Sequence, residues 1–286
     1  MKINVCFTID NKYAEYCAVT IASILINSDC LFYFYILHSG LSTENKNKLE
    51  RLKNIKDFAI TFVEVDLKYF DKCYLPDNAH FNIVAYFRLK IPSLMPDVDK
   101  IIYLDADIIA IRDLKALWDI SFDDFHIVGC KSMTHRRNCE RLGLPPGTPY
   151  INSGVMVLNL WKMRENKIEE KYFEYIMNHD TSVLNNPDQD IINLILVGVD
   201  RGIKQTRQNW NTEVRTDIQF EEEYLPIVHN PFIIHFITAD KPWNTNSKQL
   251  YREKYLQYRH ISQKSLFPKI ERLSQSIIQK IFRKFY

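Results

Sequence analysis

Residues 3–65 alternate between apolar runs and segments with helical character, and this alternation restricts the fold more than any other feature. The predicted strands are 3–9, 31–37 and 59–65, and the predicted helices are 13–27 and 42–53, the second capped by Ser42. A strand–helix–strand order of this kind predicts a parallel sheet with helices on both faces. Ligands of such sheets bind beyond the carboxyl ends of the strands, so we expect the site there.

A second apolar run, 101–104, predicts a fully buried strand, and two carboxylates follow it at Asp105 and Asp107. Residues two apart in a strand face the same way. An unpaired buried carboxylate costs several kcal/mol, so the pair needs a cationic partner. Two hard oxygen ligands suit Mg²⁺ or Mn²⁺. Alternatively, one Asp caps the next helix and the other pairs with an arginine such as Arg112.

The composition excludes several classes of protein. The 7 glycines include no glycine-rich phosphate loop, so a Rossmann dehydrogenase or a P-loop NTPase is not expected. The 6 cysteines form no C-x-x-C pair, which argues against a zinc site and a redox dithiol. Met1 leads directly into a predicted strand, so no signal peptide is expected. We therefore expect a cytoplasmic protein with free thiols.

Charge is distributed unevenly along the 286 residues. Six Lys and Arg against one Glu give residues 262–286 a charge of +5, so the rest of the chain carries −3 of the net +2. A body with so little net charge does not predict a nucleic-acid partner. From about Phe267, apolar and basic residues alternate as in an amphipathic helix that binds anionic membrane surfaces. The alternative is a helix packed on the body or on a second subunit.

The later part of the chain contains further candidate elements. Residues 134–149 are polar and predict a loop that closes over a ligand or contacts an acceptor. The strand predicted at 150–160 contains small polar residues, which often mark the approach of a ligand. The remaining predicted elements are short helices at 83–89, 113–118 and 191–196, a helix at 162–178, and strands at 126–130 and 233–236.

Six motifs occur in an order that resembles glycosyltransferase family 8, most closely the bacterial lipopolysaccharide α-galactosyltransferases and glucosyltransferases. They are FTIDNKYAEYC (7–17), AYFRLKI (85–91), IIYLDADIIAI (101–111), INSGVMVLNL (151–160), NPDQDIINLI (186–195) and IIHFITADKPW (233–243). The resemblance covers about residues 1–260, which implies a catalytic domain over 1–260 and a basic tail over 261–286. It implies an α/β fold of the GT-A type, a Rossmann-like mixed sheet flanked by helices. It also implies Mn²⁺ dependence, with Mg²⁺ as the other candidate, and a UDP-hexose donor.

Carried over by position, the resemblance implies three metal ligands: Asp105, Asp107 and His235. It places UDP against Thr8, Ile9, Asp10, Tyr13, Asp105, Ala106 and Lys241. Within this set, Asp10 hydrogen-bonds uracil, Tyr13 stacks on the base and Lys241 binds the diphosphate. Without the resemblance, His235 and Tyr13 would be interpreted as core residues and Lys241 as a solvated surface lysine.

The same resemblance implies donor-sugar contacts from Arg88, Asn152, Ser153, Asp188 and Gln189, and an acceptor contact from His80. Gln189 and Asp188 are its catalytic candidates, although Asp188 also suits a helix cap. Two positions depart from the family pattern. Ile237-Thr238-Ala239 lacks the usual glycine after the metal histidine, which puts a backbone contact to phosphate in question, and Ser153 replaces a more usual alanine.

The resemblance implies a retaining transferase that moves galactose or glucose from UDP to a saccharide, such as lipopolysaccharide or another cell-surface glycan. The enzyme is expected at the inner face of the cytoplasmic membrane, where a lipid-linked acceptor would lie. Because a carboxamide is a poor nucleophile, front-face attack is favoured over a covalent intermediate on Gln189. Two other classes remain: a metal-dependent nucleotidyltransferase or phosphoryl-transfer enzyme, and a catalytically silent sugar-nucleotide-binding protein.

Overall fold

A seven-stranded mixed sheet runs through the centre of the fold, and a three-stranded sheet lies beside it. The computed structural model describes residues 1–75, 82–216 and 222–265. Its strands are β1 (Lys2–Thr8), β2 (Leu31–His38), β3 (Ala59–Glu64), β4 (Lys100–Leu104), β5 (Ile108–Ala110), β6 (Ile127–Lys131), β7 (Ile151–Asn159), β8 (Ile203–Thr206), β9 (Thr212–Val214) and β10 (Ile233–Phe236).

Helices connect most of these strands. The α-helices are α1 (Ala14–Asn27), α2 (Thr43–Glu50), α3 (Ile91–Leu94), α4 (Lys115–Trp118), α5 (His135–Arg141), α6 (Leu160–Glu165), α7 (Ile168–Asn178), α8 (Pro187–Val197), α9 (Leu225–His229) and α10 (Arg252–Ser265). The 3₁₀ helices are Arg51–Asn54, Leu67–Phe70, Ile83–Lys90, Thr181–Val183, Gln208–Asn211 and Glu222–Tyr224. Ser42 caps α2 by accepting a hydrogen bond from the backbone N–H of Asn45, as its sequence predicts.

The large sheet has the strand order β3-β2-β1-β4-β7-β6-β8. Strands β1 to β4 pair in parallel, as the alternation predicts, but β7 runs antiparallel to both β4 and β6. A wholly parallel sheet is therefore wrong, and the mixed sheet of the GT-A fold is confirmed. The reversal has a consequence for the site. It brings the start of β7 to the end of β4, where the backbone N–H of Asp105 donates to the carbonyl of Gly154 at 2.8 Å.

Strand β4 is buried on both faces because its residues alternate between two apolar cores. On β4, Ile102 and Leu104 pack into the core beneath α1, while Ile101 and Tyr103 pack into the core that contains α7 and α8. This explains why the sequence shows a continuous apolar run at 101–104. Burial from two sides holds the end of β4 in place, and therefore the carboxylates that follow it.

The small sheet has the order β5-β10-β9 and packs against α10. Strand β10 pairs antiparallel with β5, and in this register His235 lies opposite Ile108. Ile234 and Phe236 alternate with His235 and point into the apolar cluster that contains Tyr255. The imidazole is therefore directed away from that cluster, towards the end of β4.

Two elements differ from the sequence-based expectation. Residues 134–149 are not a loop throughout, because α5 occupies His135–Arg141. The helix predicted at 162–178 is two helices, since Lys167 takes a left-handed conformation with φ of 50° between α6 and α7. Neither Gly nor Pro marks that break, so the residue pattern did not reveal it.

Two predictions fall outside the described residues: the acceptor contact of His80 and the amphipathic tail from Phe267. Both stay predictions, as does the domain boundary at residue 260. Within the ranges that the structure describes, every helix is too short or too polar to cross a lipid bilayer.

Candidate active site

Three potential metal ligands from distant parts of the sequence converge beyond the end of β4. The His235 Nε2 atom lies 3.2 Å from Asp107 Oδ1 and 3.7 Å from Asp105 Oδ2. All three potential ligand atoms lie within 4.8 Å of one another. Asp105 and Asp107 occupy the link between β4 and β5 rather than a strand, yet both carboxylates face the same imidazole. We call these three residues the metal cluster.

The chemistry and the space of this cluster fit a divalent cation. Two carboxylates and one imidazole suit Mn²⁺ or Mg²⁺. Asp107 Oδ1 is buried and has no hydrogen-bond donor among the described residues. Gly154 lies against the cluster so closely that a Cβ there would be 2.2 Å from His235 Cε1 and 2.8 Å from Asp105 Oδ2. A side chain at position 154 would therefore displace the imidazole.

Lys241 contacts the metal cluster at Asp107. Its Nζ donates to Asp107 Oδ2 at 2.7 Å and also to the carbonyl of Phe236. Burial by itself would raise the pKa of Asp107, but the charge of Lys241 and its hydrogen bond hold that pKa well below its ordinary value. Lys241 is thus not a solvated surface lysine. It neutralises Asp107, a candidate metal ligand. Its predicted contact with a diphosphate stays a prediction.

A second group of side chains, centred on Arg88, adjoins the metal cluster. The buried guanidinium contacts Asp105 Oδ1 at 2.8 Å, Asp188 Oδ2 at 3.1 Å and Ser153 Oγ at 2.6 Å. The fork of an arginine supplies these donors in fixed directions. Asp105 therefore pairs with Arg88, not with Arg112, and the hydroxyl of Ser153 makes a contact that alanine would lack.

Burial raises the pKa of Asp188, and the charge of Arg88 opposes that rise. Asp188 lies in the first turn of α8. It is thus close to both the start of a helix and the guanidinium, and both favour its negative charge.

Gln189 completes this second group, which we call the donor wall: Arg88, Ser153, Asp188 and Gln189. Gln189 Oε1 accepts from the backbone N–H of Ser153 at 3.1 Å, and its Nε2 donates to the Tyr150 hydroxyl at 2.9 Å. That hydroxyl donates in turn to Asp190 Oδ1 at 2.6 Å. Sequence reasoning assigned no role to Tyr150 or Asp190, although both lie in or beside the quoted motifs.

The residues expected to bind the nucleotide lie at the carboxyl end of β1, which neighbours β4. Asp10 accepts from the backbone N–H of Tyr13 at 2.8 Å and from Asn82 Nδ2 at 2.6 Å. The Tyr13 ring meets Trp243 edge to face, with their centroids 6.1 Å apart. Sequence reasoning missed Asn82 and Trp243. Asn82 precedes the helix that carries Arg88, and Trp243 follows Lys241 closely.

The backbone near these side chains is held by the core. Thr8 Oγ1 lies 3.0 Å from the Tyr103 hydroxyl, which donates to Asp105 Oδ1 at 2.7 Å. The carbonyl of Ala106 accepts from Thr20 Oγ1 at 3.1 Å, and the N–H of Ile9 donates to Leu37. The structure thus brings the described candidates to one edge of the sheet. Asn152 also lies there, but its amide oxygen accepts from Gly154 and Asn211.

Comparison with known proteins agrees with this arrangement. The family model for glycosyl transferase family 8 matches residues 4–247. The chain belongs to glycosyltransferase family 8. The family and the fold that the motifs imply are therefore confirmed.

Similar proteins of known name extend this result. General stress protein A of Bacillus subtilis is 28% identical over 262 residues, covering 87% of this chain and 90% of its own. The lipopolysaccharide 1,3-galactosyltransferase of Salmonella typhimurium is 23% identical, over 85% of this chain and 74% of its own. The lipopolysaccharide 1,2-glucosyltransferase of Escherichia coli K12 is 26% identical, over 85% and 73%.

Among solved structures, a galactosyltransferase crystallised with donor and acceptor sugar analogues superposes with a TM-score of 0.78. It is 24% identical, and the match covers 91% of this chain and 96% of that one. This likeness supports the GT-A fold. With the match to family 8, it makes this chain an enzyme of the glycosyltransferase type.

Proposed function

We propose that this family 8 enzyme transfers galactose or glucose from UDP to a hydroxyl of a saccharide acceptor, with retention of anomeric configuration and dependence on Mn²⁺. One observation carries the proposal: Asp105 of the metal cluster also contacts Arg88 of the donor wall. One carboxylate oxygen of Asp105 binds Arg88 and the other faces His235. A group bound to the cation therefore lies next to a group bound to the wall, as the diphosphate and the hexose of a sugar nucleotide must.

The charges of the two groups also suit such a ligand. Asp105, Asp107 and Asp188 contribute three negative charges, against the positive charges of Arg88 and Lys241, so the net charge is −1 with a neutral His235. A divalent cation reverses this to +1. The site then attracts a diphosphate, which the cation-free site would repel.

Asp105, Asp107 and His235 would hold the cation. When bound, it supplies Lewis-acid stabilisation of the charge that develops on the departing diphosphate. Mn²⁺ is preferred because imidazole is a better ligand for it than for Mg²⁺. Lys241 contacts Asp107 beside this cation position. When the ammonium group of Lys241 moves away from Asp107, it would bind the diphosphate.

We assign the uridine to the end of β1. Asp10 would accept a hydrogen bond from uracil, Tyr13 would pack on the base, and the backbone of Thr8, Ile9 and Ala106 would line the ribose and base. Asp10 already fixes the start of α1 through the N–H of Tyr13, so the same contact positions the ring.

We assign the hexose to the donor wall. Arg88, Asn152 and Ser153 would position its hydroxyls, and Asp188 would accept hydrogen bonds from them. The acceptor oxygen bonds to the anomeric carbon on the face from which the phosphate oxygen departs, and the acceptor's proton passes to that phosphate. Gln189 stabilises the oxocarbenium-like transition state without forming a covalent bond, which agrees with the engagement of both ends of its amide.

The acceptor follows from the relatives more than from the described residues. Lipopolysaccharide transferases are among the relatives, so we infer that the acceptor is a lipid-linked saccharide. His80 would contact this acceptor. The tail would then bind the anionic surface where that acceptor lies. A chain ending at Ser265 is expected not to sediment with anionic vesicles. Sedimentation equal to that of the full chain would contradict the membrane role.

The decisive experiment measures UDP release from a panel of UDP-sugars with Mn²⁺, Mg²⁺ or a chelator. We expect release from UDP-galactose or UDP-glucose that needs Mn²⁺ and increases with a saccharide acceptor, and a product with the donor's anomeric configuration by proton NMR. Release of sugar 1-phosphate instead of UDP, which requires attack on the phosphorus that carries the uridine, would support a nucleotidyltransferase. No turnover of any UDP-sugar, even by hydrolysis, would contradict the proposed function.

A further inference from the structure

A line of buried hydrogen bonds connects the backbone of β7 to the imidazole of the metal cluster. The N–H of Gly154 donates to Asn152 Oδ1 at 2.9 Å, and Asn211 Nδ2 donates to the same oxygen at 2.8 Å. Asn211 Oδ1 lies 2.9 Å from His235 Nδ1. Asn211 and His235 are 2% and 4% exposed, so water does not replace these contacts.

The direction of every bond in this line follows from its first donor. A backbone N–H only donates, so the atom of Asn152 that faces Gly154 must be the amide oxygen. Asn211 must then present its NH₂ group to that oxygen. Its own carbonyl oxygen consequently faces His235, and an oxygen there requires a proton on Nδ1.

We propose that Asn211 is a positioning residue of the metal centre, which holds His235 in the Nδ1–H tautomer with the lone pair of Nε2 directed at Asp105 and Asp107. This inference rests on the metal site of the proposed function. Without the hydrogen bond to Asn211, the ring of His235 has two neutral tautomers. The tautomer with a proton on Nε2 cannot bind a cation through that atom.

No other described side chain takes this role. Glu213 is the buried carboxylate closest in register, because it lies opposite His235 in the β9–β10 pair. Its two oxygens accept from the N–H of Met133 at 3.1 Å and from Ser132 Oγ at 3.5 Å. They are thus directed at the β6–α5 connection, and Nδ1 is left to Asn211.

The first measurement needs no variant. Long-range ¹H–¹⁵N NMR of the metal-free protein, recorded over a range of pH, reports which nitrogen of the neutral His235 ring carries the proton. We expect Nδ1–H. The Nε2–H tautomer in the wild-type protein would overturn the proposal whatever the variants do.

The variants then separate the hydrogen bond from the volume of the side chain. Asn211→Leu removes both hydrogen bonds at similar volume, and we expect a mixture of tautomers and about 10- to 100-fold weaker binding of Mn²⁺ alone. Asn211→Asp keeps an acceptor for Nδ1–H and should keep the tautomer, which also serves if the leucine variant does not fold. Asn209→Ala is the matched control, since Asn209 lies in the same turn and donates to Asn230 instead.

An unchanged tautomer and an unchanged Mn²⁺ affinity in Asn211→Leu would overturn the positioning role while leaving the proposed function intact. Failure of the proposed function has a different signature. The wild-type protein would then neither bind Mn²⁺ nor release UDP, and the tautomer of its metal-free His235 would still decide the role of Asn211.

Discussion

The donor wall and the metal cluster meet at the contact between Arg88 and Asp105, but they differ in how fully their polar atoms are hydrogen-bonded. In the donor wall, Arg88 contacts three partners and both ends of the Gln189 amide are hydrogen-bonded. In the metal cluster, Asp107 Oδ1 has no hydrogen-bond donor among the described residues, and Lys241 neutralises the other oxygen. The hydrogen bonds of the donor wall are supplied by the protein, whereas the metal cluster keeps a buried acceptor without a donor.

This difference indicates which part of the site is formed before ligands bind. A satisfied buried network is rigid and keeps its geometry. In the metal cluster, Lys241 offsets the charge of Asp107 and Arg88 that of Asp105, so we expect the geometry to change when a divalent cation binds. Four substitutions test the contrast.

Removing a ligand of the metal cluster has the largest effect. We expect Asp107→Ala to lower Mn²⁺-dependent UDP release by about 10³-fold or more, since stabilisation of the leaving group by a cation supplies several kcal/mol. The fold should be retained, because Asp107 Oδ1 is unsatisfied without the metal. Full activity would refute the metal assignment. Asp99→Ala is the matched control, since this exposed carboxylate precedes the same strand and pairs with Arg164.

Removing Arg88, the central cation of the donor wall, should lower the free energy of unfolding. Arg88→Met leaves Asp105 and Asp188 without their guanidinium, and loss of one partner of a buried ion pair costs about 3–5 kcal/mol. Urea denaturation of the metal-free protein measures this loss. Arg259→Met, which breaks the exposed pair with Glu15, should cost at most about 1 kcal/mol. Equal costs for the two variants would show that the wall is not a structural unit.

Removing Lys241, which contacts the metal cluster, should change the affinity for Mn²⁺ in opposite directions with and without nucleotide. Without nucleotide, Lys241 competes with the cation for Asp107, so Lys241→Met should bind Mn²⁺ on the order of tenfold more tightly (about 1.4 kcal/mol). With UDP present, the same variant should bind Mn²⁺ more weakly, because a diphosphate contact is lost. Isothermal titration in both conditions measures the change. Weaker binding in both would contradict the competition.

The smallest effect is expected where one hydrogen bond of the wall is removed. Tyr150→Phe frees Gln189 Nε2, and one hydrogen bond contributes about 0.5–1.5 kcal/mol, so kcat should fall about 2- to 10-fold with KM nearly unchanged. Tyr172→Phe is the control, because the buried Tyr172 hydroxyl has no hydrogen-bond partner among the described residues. A larger loss in the control than in Tyr150→Phe would argue against the positioning of Gln189.

Particular residues show how far the sequence alone leads. Several elements were predictable from local patterns. Burial of β4 on two faces corresponds to the continuous apolar run at 101–104, and Ser42 indicates the start of α2. Asp105 and Asp107 were metal candidates from the acidic pair itself, whereas His235 was identified only with the help of the ordered motifs, since a histidine in an apolar strand is otherwise interpreted as a core residue. The break at Lys167 and helix α5 were not predicted, because neither Gly nor Pro marks the break and the polar composition of residues 134–149 is typical of a loop.

The order of local elements, the acidic pair and the family were therefore determined by the sequence itself, because they depend on local periodicity and short motifs. The tertiary structure decided that β7 runs antiparallel, that Arg88 rather than Arg112 binds Asp105, and that Asn211 contacts His235. Each of these is a contact between residues that are 17 or more positions apart. Such contacts arise from the way elements distant in the sequence pair and pack, to which no local pattern corresponds.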